Sequence, residues 1–243
     1  MMVGLKIIKR LLWDFWVVFF NIFEDIQSNQ KVMKRLPLFH QNGFMELSPV
    51  ENNELTKLRG IFNEHLDKGH HDTSGQLKGR VFSHGLLDER LLPIIERFKS
   101  VASGYLNSDN PNLELTYFQR SIPEKKVENI PGGEFHIDDT KANIKFFVYL
   151  TDVTDDHGPF SAVPGTQKWR EPSRIFRAFW YALSKSRSSM YASKSKGAAL
   201  SQRAKVFTGA AGTCFAVDTT AWHTASKLKT GSREVFVASF NRR

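Results

Sequence analysis

The chain has 243 residues, 41% of them hydrophobic and 12% aromatic, and a formal net charge of +9. A chain of this length buries a full core as a single domain. Cys214 is the only cysteine, which excludes an internal disulfide and any cysteine-based zinc site, and predicts a reducing, cytoplasmic environment. The sequence contains no Walker loop, dinucleotide fingerprint or internal repeat.

The N-terminal segment, residues 1–30, is predicted to be an amphipathic helix. Its apolar run at 11–23 follows basic residues but is interrupted by Asp14 and Asn21. The run is too short for a typical membrane span and has no small-residue cleavage site. We expect residues 1–23 to pack on the outside of the domain or to contact a membrane surface peripherally, since aromatic side chains behind basic ones suit a headgroup boundary. A signal anchor is the third option.

Two helices and a strand are predicted in the first half of the chain. Apolar residues recur at helical spacing in residues 52–72 and again in residues 86–106. The loop between them contains His70 and His71, whose side chains point apart in an extended chain, which favours an exposed loop over a metal site. The segment 113–119 is the first clear strand.

His136, Asp138 and His223 are the candidate metal ligands. Residues two apart in a strand project the same way, about 7 Å apart, so His136 and Asp138 can share one ion. They precede 143–150, an alternating aromatic and β-branched run that predicts a buried strand. His223 follows the apolar run 214–217, and we expect its strand to pair near the first. Two imidazoles and a carboxylate bind iron(II) on one face and leave the other open.

The order of the motifs resembles the phytanoyl-CoA dioxygenase-like family of iron(II)/2-oxoglutarate-dependent oxygenases. That family has a Leu-x-Asp strand end, an Asn-Gly-Pro turn and a Val-Pro-Gly-Ser-His stretch after its His-x-Asp strand. The corresponding segments here are Leu-Thr-Asp at 150–152, His-Gly-Pro at 157–159 and Val-Pro-Gly-Thr-Gln at 163–167. His157 and the pair at 166–167 depart from the pattern, but neither is a presumed metal ligand. The resemblance covers residues 114–170 and 206–240.

The resemblance implies a fold and a cofactor set. The fold is mainly β with flanking helices, a double-stranded β-helix (jelly-roll, cupin-like) barrel over residues 31–243. The resemblance also implies that His136, Asp138 and His223 hold Fe(2+) and that 2-oxoglutarate and O2 are co-substrates. Related halogenases lack the carboxylate, so the presence of Asp138 favours oxygen transfer, and the implied activity is hydroxylation of a small molecule.

Two sites are predicted to bind 2-oxoglutarate. Arg233 begins the predicted strand 233–240, and its guanidinium matches the distal carboxylate of 2-oxoglutarate with two charge-assisted hydrogen bonds. We expect it to face His223 across an antiparallel hairpin. Tyr117 or Gln119 is a candidate to face the co-substrate, as polar residues of the corresponding strand do in similar enzymes. The alternative is that these two residues serve only in packing.

The positive charge is concentrated in residues 165–206. This segment contains ten Lys and Arg and one acid, Glu171, whereas the rest of the chain is balanced. We expect a lid-like insertion at the mouth of the barrel. Helical apolar spacing within 173–187 predicts a basic amphipathic helix, which would cover the mouth, attract an anionic or lipid-like substrate, or contact a membrane peripherally. Nucleic acid is the less favoured partner.

Three other interpretations use the same residues. A non-catalytic ligand-binding barrel would keep the fold without turnover, although the triad and Arg233 are all present. A metal hydrolase would hold zinc and water with the same triad, but it has no use for Arg233 at this spacing. A nucleic-acid demethylase would use the basic segment and predicts salt-dependent binding to DNA or RNA. Phe135 and Trp222, beside the ligands, are predicted to pack. No motif identifies the substrate.

Overall fold

The structure is a computed structural model that describes residues 36–68, 80–84, 88–123, 134–138, 143–167 and 190–242. Several sequence predictions lie outside the described residues. They are the N-terminal segment 1–30, the loop histidines His70 and His71, and the basic amphipathic helix within 173–187.

The described part contains both helices predicted from apolar spacing. The α-helices are α1 (Pro37–Asn42), α2 (Asn52–Asp67), α3 (Leu92–Leu106) and α4 (Lys194–Ser201). α3 begins with a proline in its first turn, where the missing N–H costs nothing, and ends at Asn107 in the left-handed region. A 3-10 turn at Glu89–Leu91 precedes it, so the helix predicted over 86–106 starts later than expected.

Eleven strands are described, and they form two antiparallel sheets. The strands are β1 (Phe44–Leu47), β2 (Arg80–His84), β3 (Asn112–Ser121), β4 (His136–Ile137), β5 (Asn143–Tyr149), β6 (Phe160–Ala162), β7 (Met190–Tyr191), β8 (Lys205–Phe207), β9 (Cys214–Asp218), β10 (His223–Ala225) and β11 (Arg233–Asn241). The major sheet has the order β1-β9-β5-β11-β3-β2, and the minor sheet has the order β7-β4-β10-β6-β8. The predicted mainly β architecture with flanking helices is confirmed.

Alternate residues of the major sheet face opposite layers. Phe146 of β5 stacks on Phe98 of α3, and the other even-numbered apolar residues of β5 and β11 join the same helix-facing core. Phe147 and its odd-numbered neighbours instead pack with Phe160 and Phe207 of the minor sheet. Odd-numbered residues of β5 and β11 therefore face the space between the sheets.

A third cluster covers the outer face of the minor sheet. Phe135, Ile137 and Trp222 pack there against Leu200 of α4. Because Phe135 and Ile137 point outward, the residues that alternate with them, at 136 and 138, point inward. Phe135 and Trp222 therefore pack behind the metal-ligand candidates. None of the helices in the described ranges is long and apolar enough to cross a membrane.

Candidate metal centre

Strands β4 and β10 bring the three candidate ligands together. They pair antiparallel, with His136 directly opposite His223. Asp138 follows β4, and its backbone N–H donates to the carbonyl of Thr219 at 3.1 Å, which fixes the chain beyond the strand end. The strand pairing expected from the sequence is therefore present, and it places two imidazoles and one carboxylate at the same end of the minor sheet.

The three side chains converge on one point. Oδ1 of Asp138 lies 3.4 Å from Nε2 of His136 and 3.5 Å from Nε2 of His223. One ligand atom from each residue lies within 4.8 Å of the others. Adjacent ligands of an octahedral first-row ion lie about 3 Å apart when each bond is about 2.1 Å. The two distances from Oδ1 of Asp138 to the imidazole nitrogens therefore exceed this spacing by only a few tenths of an ångström.

Backbone carbonyls orient both imidazoles. Nδ1 of His136 lies 2.8 Å from the carbonyl oxygen of Glu134, and Nδ1 of His223 lies 2.9 Å from that of Ala221. A carbonyl oxygen only accepts hydrogen bonds, so each Nδ1 carries the proton and donates. In the neutral ring the lone pair is then on Nε2, the atom that faces Asp138. In this tautomer Nε2 can bind a metal, and the hydrogen bond to the carbonyl fixes the orientation of the ring.

Burial favours the neutral form of His223. Its side chain is 4% exposed, and its ring stacks on Phe160 at 5.4 Å between centroids. Burial lowers the pKa of His223, although the charge of Asp138 opposes that shift. A neutral imidazole is the metal-binding form, so the shift extends metal binding toward lower pH.

Lys145 forms an ion pair with the candidate ligand Asp138 and was not predicted from the sequence. Its Nζ lies 2.6 Å from Oδ2 of Asp138. Burial opposes ionisation of Asp138, but the positive charges facing it, from His223 when protonated and from Lys145, hold the pKa of this carboxyl well below its usual range. Burial likewise lowers the pKa of Lys145, but the charge of Asp138 outweighs it and raises that pKa. Both groups are therefore charged at neutral pH.

Arg233 lies on the other sheet, which corrects the predicted hairpin. It begins β11 and pairs with Ser121 of β3, whereas His223 belongs to β10 of the minor sheet. The two residues share no hairpin because β11 pairs along its length with β3 and β5 in the centre of the major sheet. The chain between β10 and β11 therefore crosses from one sheet to the other.

Arg233 nevertheless points toward the space between the sheets. Its odd number places it on the same face of β11 as Val235 and Val237, which pack with the minor sheet, and only 4% of it is exposed. Its charge favours ionisation of Tyr149, but burial outweighs this effect and raises the pKa of Tyr149 to about 12. A buried guanidinium in this space suits a carboxylate, because burial strengthens their attraction.

Tyr117 and Gln119 lie on the same inner face. Tyr117 packs against the core between the sheets, and its hydroxyl acts electrostatically on Lys145. Gln119 is buried, and its Nε2 donates to Oγ of Ser121 at 2.7 Å. Both residues therefore lie between the two charged groups of the inner face, and contact of Tyr117 with 2-oxoglutarate remains a prediction.

The two departures from the family pattern are accommodated locally. Nδ1 of His157 accepts from the backbone N–H of Thr154 at 3.2 Å and closes the turn in place of the usual asparagine. Thr166 accepts from the N–H of Trp222 at 3.1 Å and donates to the carbonyl of Val163 at 2.7 Å. It therefore holds the residue before His223, while the amide of Gln167 donates to the carbonyl of His40.

Two facing antiparallel sheets with a His-x-Asp…His cluster between them form a jelly-roll with a candidate site for one metal ion. The profile of the family described as phytanoyl-CoA dioxygenase (PhyH) matches residues 60–235, well over half of the chain. The chain belongs to this family. A comparison with curated proteins gives no significant match.

Several solved structures share the fold of this chain. The epimerase SnoN, in complex with Fe3+, alpha-ketoglutarate and nogalamycin RO, superposes with a TM-score of 0.65 at 15% identity, over 87% of this chain and 83% of that one. HygX from Streptomyces hygroscopicus, with nickel and 2-oxoglutarate bound, gives 0.58 at 15% identity, over 86% of each chain. EctD from S. alaskensis with bound Fe gives 0.60 at 16% identity, over 86% of this chain and 76% of that one. The predicted double-stranded β-helix fold is thereby confirmed.

Proposed function

We propose that this protein is an iron(II)- and 2-oxoglutarate-dependent dioxygenase that hydroxylates a small molecule. The observation that carries the proposal is the convergence of Nε2 of His136, Nε2 of His223 and Oδ1 of Asp138. Membership of the phytanoyl-CoA dioxygenase family supports this choice of metal and co-substrate. So do the iron or nickel bound in SnoN, HygX and EctD and the 2-oxoglutarate bound in SnoN and HygX.

The protein's own residues supply binding, orientation and exclusion of water. The triad would hold Fe(2+), which, with 2-oxoglutarate and O2, supplies the oxidising chemistry. Arg233 would bind the distal carboxylate of 2-oxoglutarate, and Tyr117 would contact the co-substrate from its position further along β3, opposite Val237. The overall reaction converts 2-oxoglutarate, O2 and a C–H bond into succinate, CO2 and a C–OH group. The aromatic core between the sheets keeps water from the reacting groups.

Hydroxylation is the outcome that Asp138 favours. A carboxylate at this position occupies the place that chloride takes in halogenases of the family. The fold also carries other reactions, because SnoN is described as an epimerase and SnoK as a carbocyclase. The proposal of hydroxylation therefore rests on the intact triad of this chain, and the fold alone does not select it.

We further propose that the substrate is anionic or lipid-like. Residues 165–206 carry the whole net charge of the chain, and the described part of this segment includes β7, which pairs with β4 of the metal centre. Tyr191 of β7 pairs with His136, and its half-exposed ring stacks on that imidazole at 5.4 Å. The positive charge of a segment that includes β7 would raise the local concentration of anions near the site. The same segment and residues 1–23 would serve peripheral membrane contact.

Substrate screening tests the proposed hydroxylation. Fe(2+)-loaded protein is incubated with 2-oxoglutarate, isotopically labelled O2 and a panel of fatty acyl thioesters, phosphorylated metabolites and matched neutral analogues. We expect an anionic member to gain one labelled oxygen atom, because the basic segment favours anions. Mass spectrometry of the products is the measurement. Desaturated or epimerised product without labelled oxygen would contradict hydroxylation while leaving the oxygenase assignment intact.

A further inference from the structure

Lys145 is a partly buried cation, and the other inward-facing residues of its strand are uncharged. The inward-facing residues of β5 are Asn143, Lys145, Phe147 and Tyr149, and two of the four belong to the aromatic core between the sheets. An ammonium in such a place is costly unless it is paired. Its Nζ is paired with Oδ2 of Asp138 at 2.6 Å, across the space between the two sheets.

The two oxygens of Asp138 have different partners. Oδ1 faces Nε2 of both His136 and His223, and Oδ2 faces Lys145. An ion held by the imidazoles would therefore meet one carboxylate oxygen, because the ammonium already occupies the other. A carboxylate that binds through one oxygen uses one coordination position and leaves the rest to other ligands.

A second carboxylate, that of Glu114, also acts on Lys145. Glu114 forms a bulge in β3, because the pairing with β11 passes from Leu115 to Leu113. The bulge lies next to Ser239, and Ser239 pairs with Lys145 on the other side of β11. Oγ of Ser239 lies 3.1 Å from Oε2 of Glu114 and 2.8 Å from Oδ1 of Asn143. The carboxylate of Glu114 acts electrostatically on Lys145. The charge of Glu114 therefore adds to that of Asp138 in favouring the charged form of Lys145.

We propose that Lys145 is a positioning residue that keeps Asp138 a one-oxygen ligand and offsets its negative charge. The inference rests on the proposed function. With Lys145 present, the pair of side chains is neutral, so a bound divalent ion retains more of its positive charge for an anionic co-substrate. Lys145 thus weakens the binding of the metal and strengthens the binding of 2-oxoglutarate to the metal-loaded site.

Two binding equilibria should therefore move in opposite directions in Lys145→Met. We expect the affinity for Co2+ to rise about tenfold, since charges about 5–6 Å apart in a partly buried site interact strongly. We expect the affinity of the Co2+-loaded protein for 2-oxoglutarate to fall about tenfold, because the site is less positive and Asp138 is free to use both oxygens. Anaerobic calorimetric titration measures both constants, and the visible spectrum of Co2+ reports any change in its coordination.

A second variant and a matched control isolate the effect. Lys145→Gln keeps an N–H donor without the charge, and it should shift both affinities in the same senses as Lys145→Met but less. Lys229 forms a similar ion pair with Asp156 at 2.8 Å on the surface, so Lys229→Met should match the wild type in both titrations. If Lys145→Met does not fold, the comparison rests on Lys145→Gln.

The outcomes separate this inference from the proposed function. Loss of packing alone would weaken both affinities, so two shifts of the same sign in the Lys145 variants, or two unchanged affinities, would overturn the role of Lys145. Wild-type protein that binds neither Co2+ nor 2-oxoglutarate would instead overturn the proposed function. Opposite shifts in the Lys145 variants, with normal Lys229→Met, support the inference.

Discussion

Replacing His223 with alanine is expected to abolish iron-dependent activity and to weaken metal binding by at least about 100-fold. Side chains that only orient a metal ligand contribute about 10–100-fold to affinity, so loss of a direct ligand costs more. His223 is buried, and no described side chain replaces its Nε2 next to Asp138. Titration of the metal-free protein with Fe(2+) under anaerobic conditions measures the change.

His157→Ala is the matched control for that experiment. His157 lies in the turn before β6, where its ring closes a 3-10 turn and lies outside the metal cluster. We expect His157→Ala to bind Fe(2+) as the wild type does, with some loss of stability. Equal Fe(2+) affinity in wild type and His223→Ala, both folded by circular dichroism, would show that the ion is held elsewhere.

Replacing Arg233 is expected to remove the binding of 2-oxoglutarate while sparing the metal. Two charge-assisted hydrogen bonds to a buried carboxylate are worth about 3 kcal/mol, which corresponds to about 100-fold in the Kd of 2-oxoglutarate. We expect Arg233→Met to show this loss and Arg233→Lys to recover part of it, because lysine keeps the charge but not the fork. Titration of 2-oxoglutarate into the metal-loaded variants gives these constants.

Arg120 provides the control for Arg233. It lies on the adjacent strand β3, pairs with Glu234 at 2.6 Å, and faces the ring of Phe62 on the helix side of the major sheet. Arg120→Met should leave the affinity for 2-oxoglutarate unchanged. A loss in Arg120→Met as large as that in Arg233→Met would mean that the effect comes from the stability of the sheet.

Much of the site was predictable because its ligands lie close in sequence or in strongly patterned strands. His136 and Asp138 share a face because strands alternate, and the run at 143–150 was recognisable as a strand from its aromatic and β-branched residues. The pairing of His223 with His136 followed from the apolar run before it.

The relation between Arg233 and His223 was not predictable from the same patterns. A two-residue period indicates which residues share a face, but not which strand lies alongside. The short sequence separation between His223 and Arg233 suggested a hairpin. Instead, β11 pairs on both sides with strands from distant parts of the chain. Because of these non-local pairings, Arg233 lies on the major sheet, opposite the histidines of the minor sheet.

Lys145 was missed for a related reason. Its odd position in β5 indicated an inward side chain, in a row with Phe147 and Tyr149, and a lysine in such a row was the available signal. Its partner Asp138 follows a strand of the other sheet, so only the facing of the two sheets brings the charges to 2.6 Å. Charged residues at inward positions of apolar strands therefore mark where to look for a site.

The most direct test of the proposed oxygenase activity is release of succinate from 2-oxoglutarate. Protein loaded anaerobically with Fe(2+) and an equal amount of 2-oxoglutarate is exposed to O2, and succinate is quantified by mass spectrometry. We expect wild type and His157→Ala to form succinate, and His136→Ala and Arg233→Ala to form almost none. Wild-type protein that leaves 2-oxoglutarate intact, with or without the candidate substrates, would contradict the assignment of this chain as a 2-oxoglutarate-dependent oxygenase.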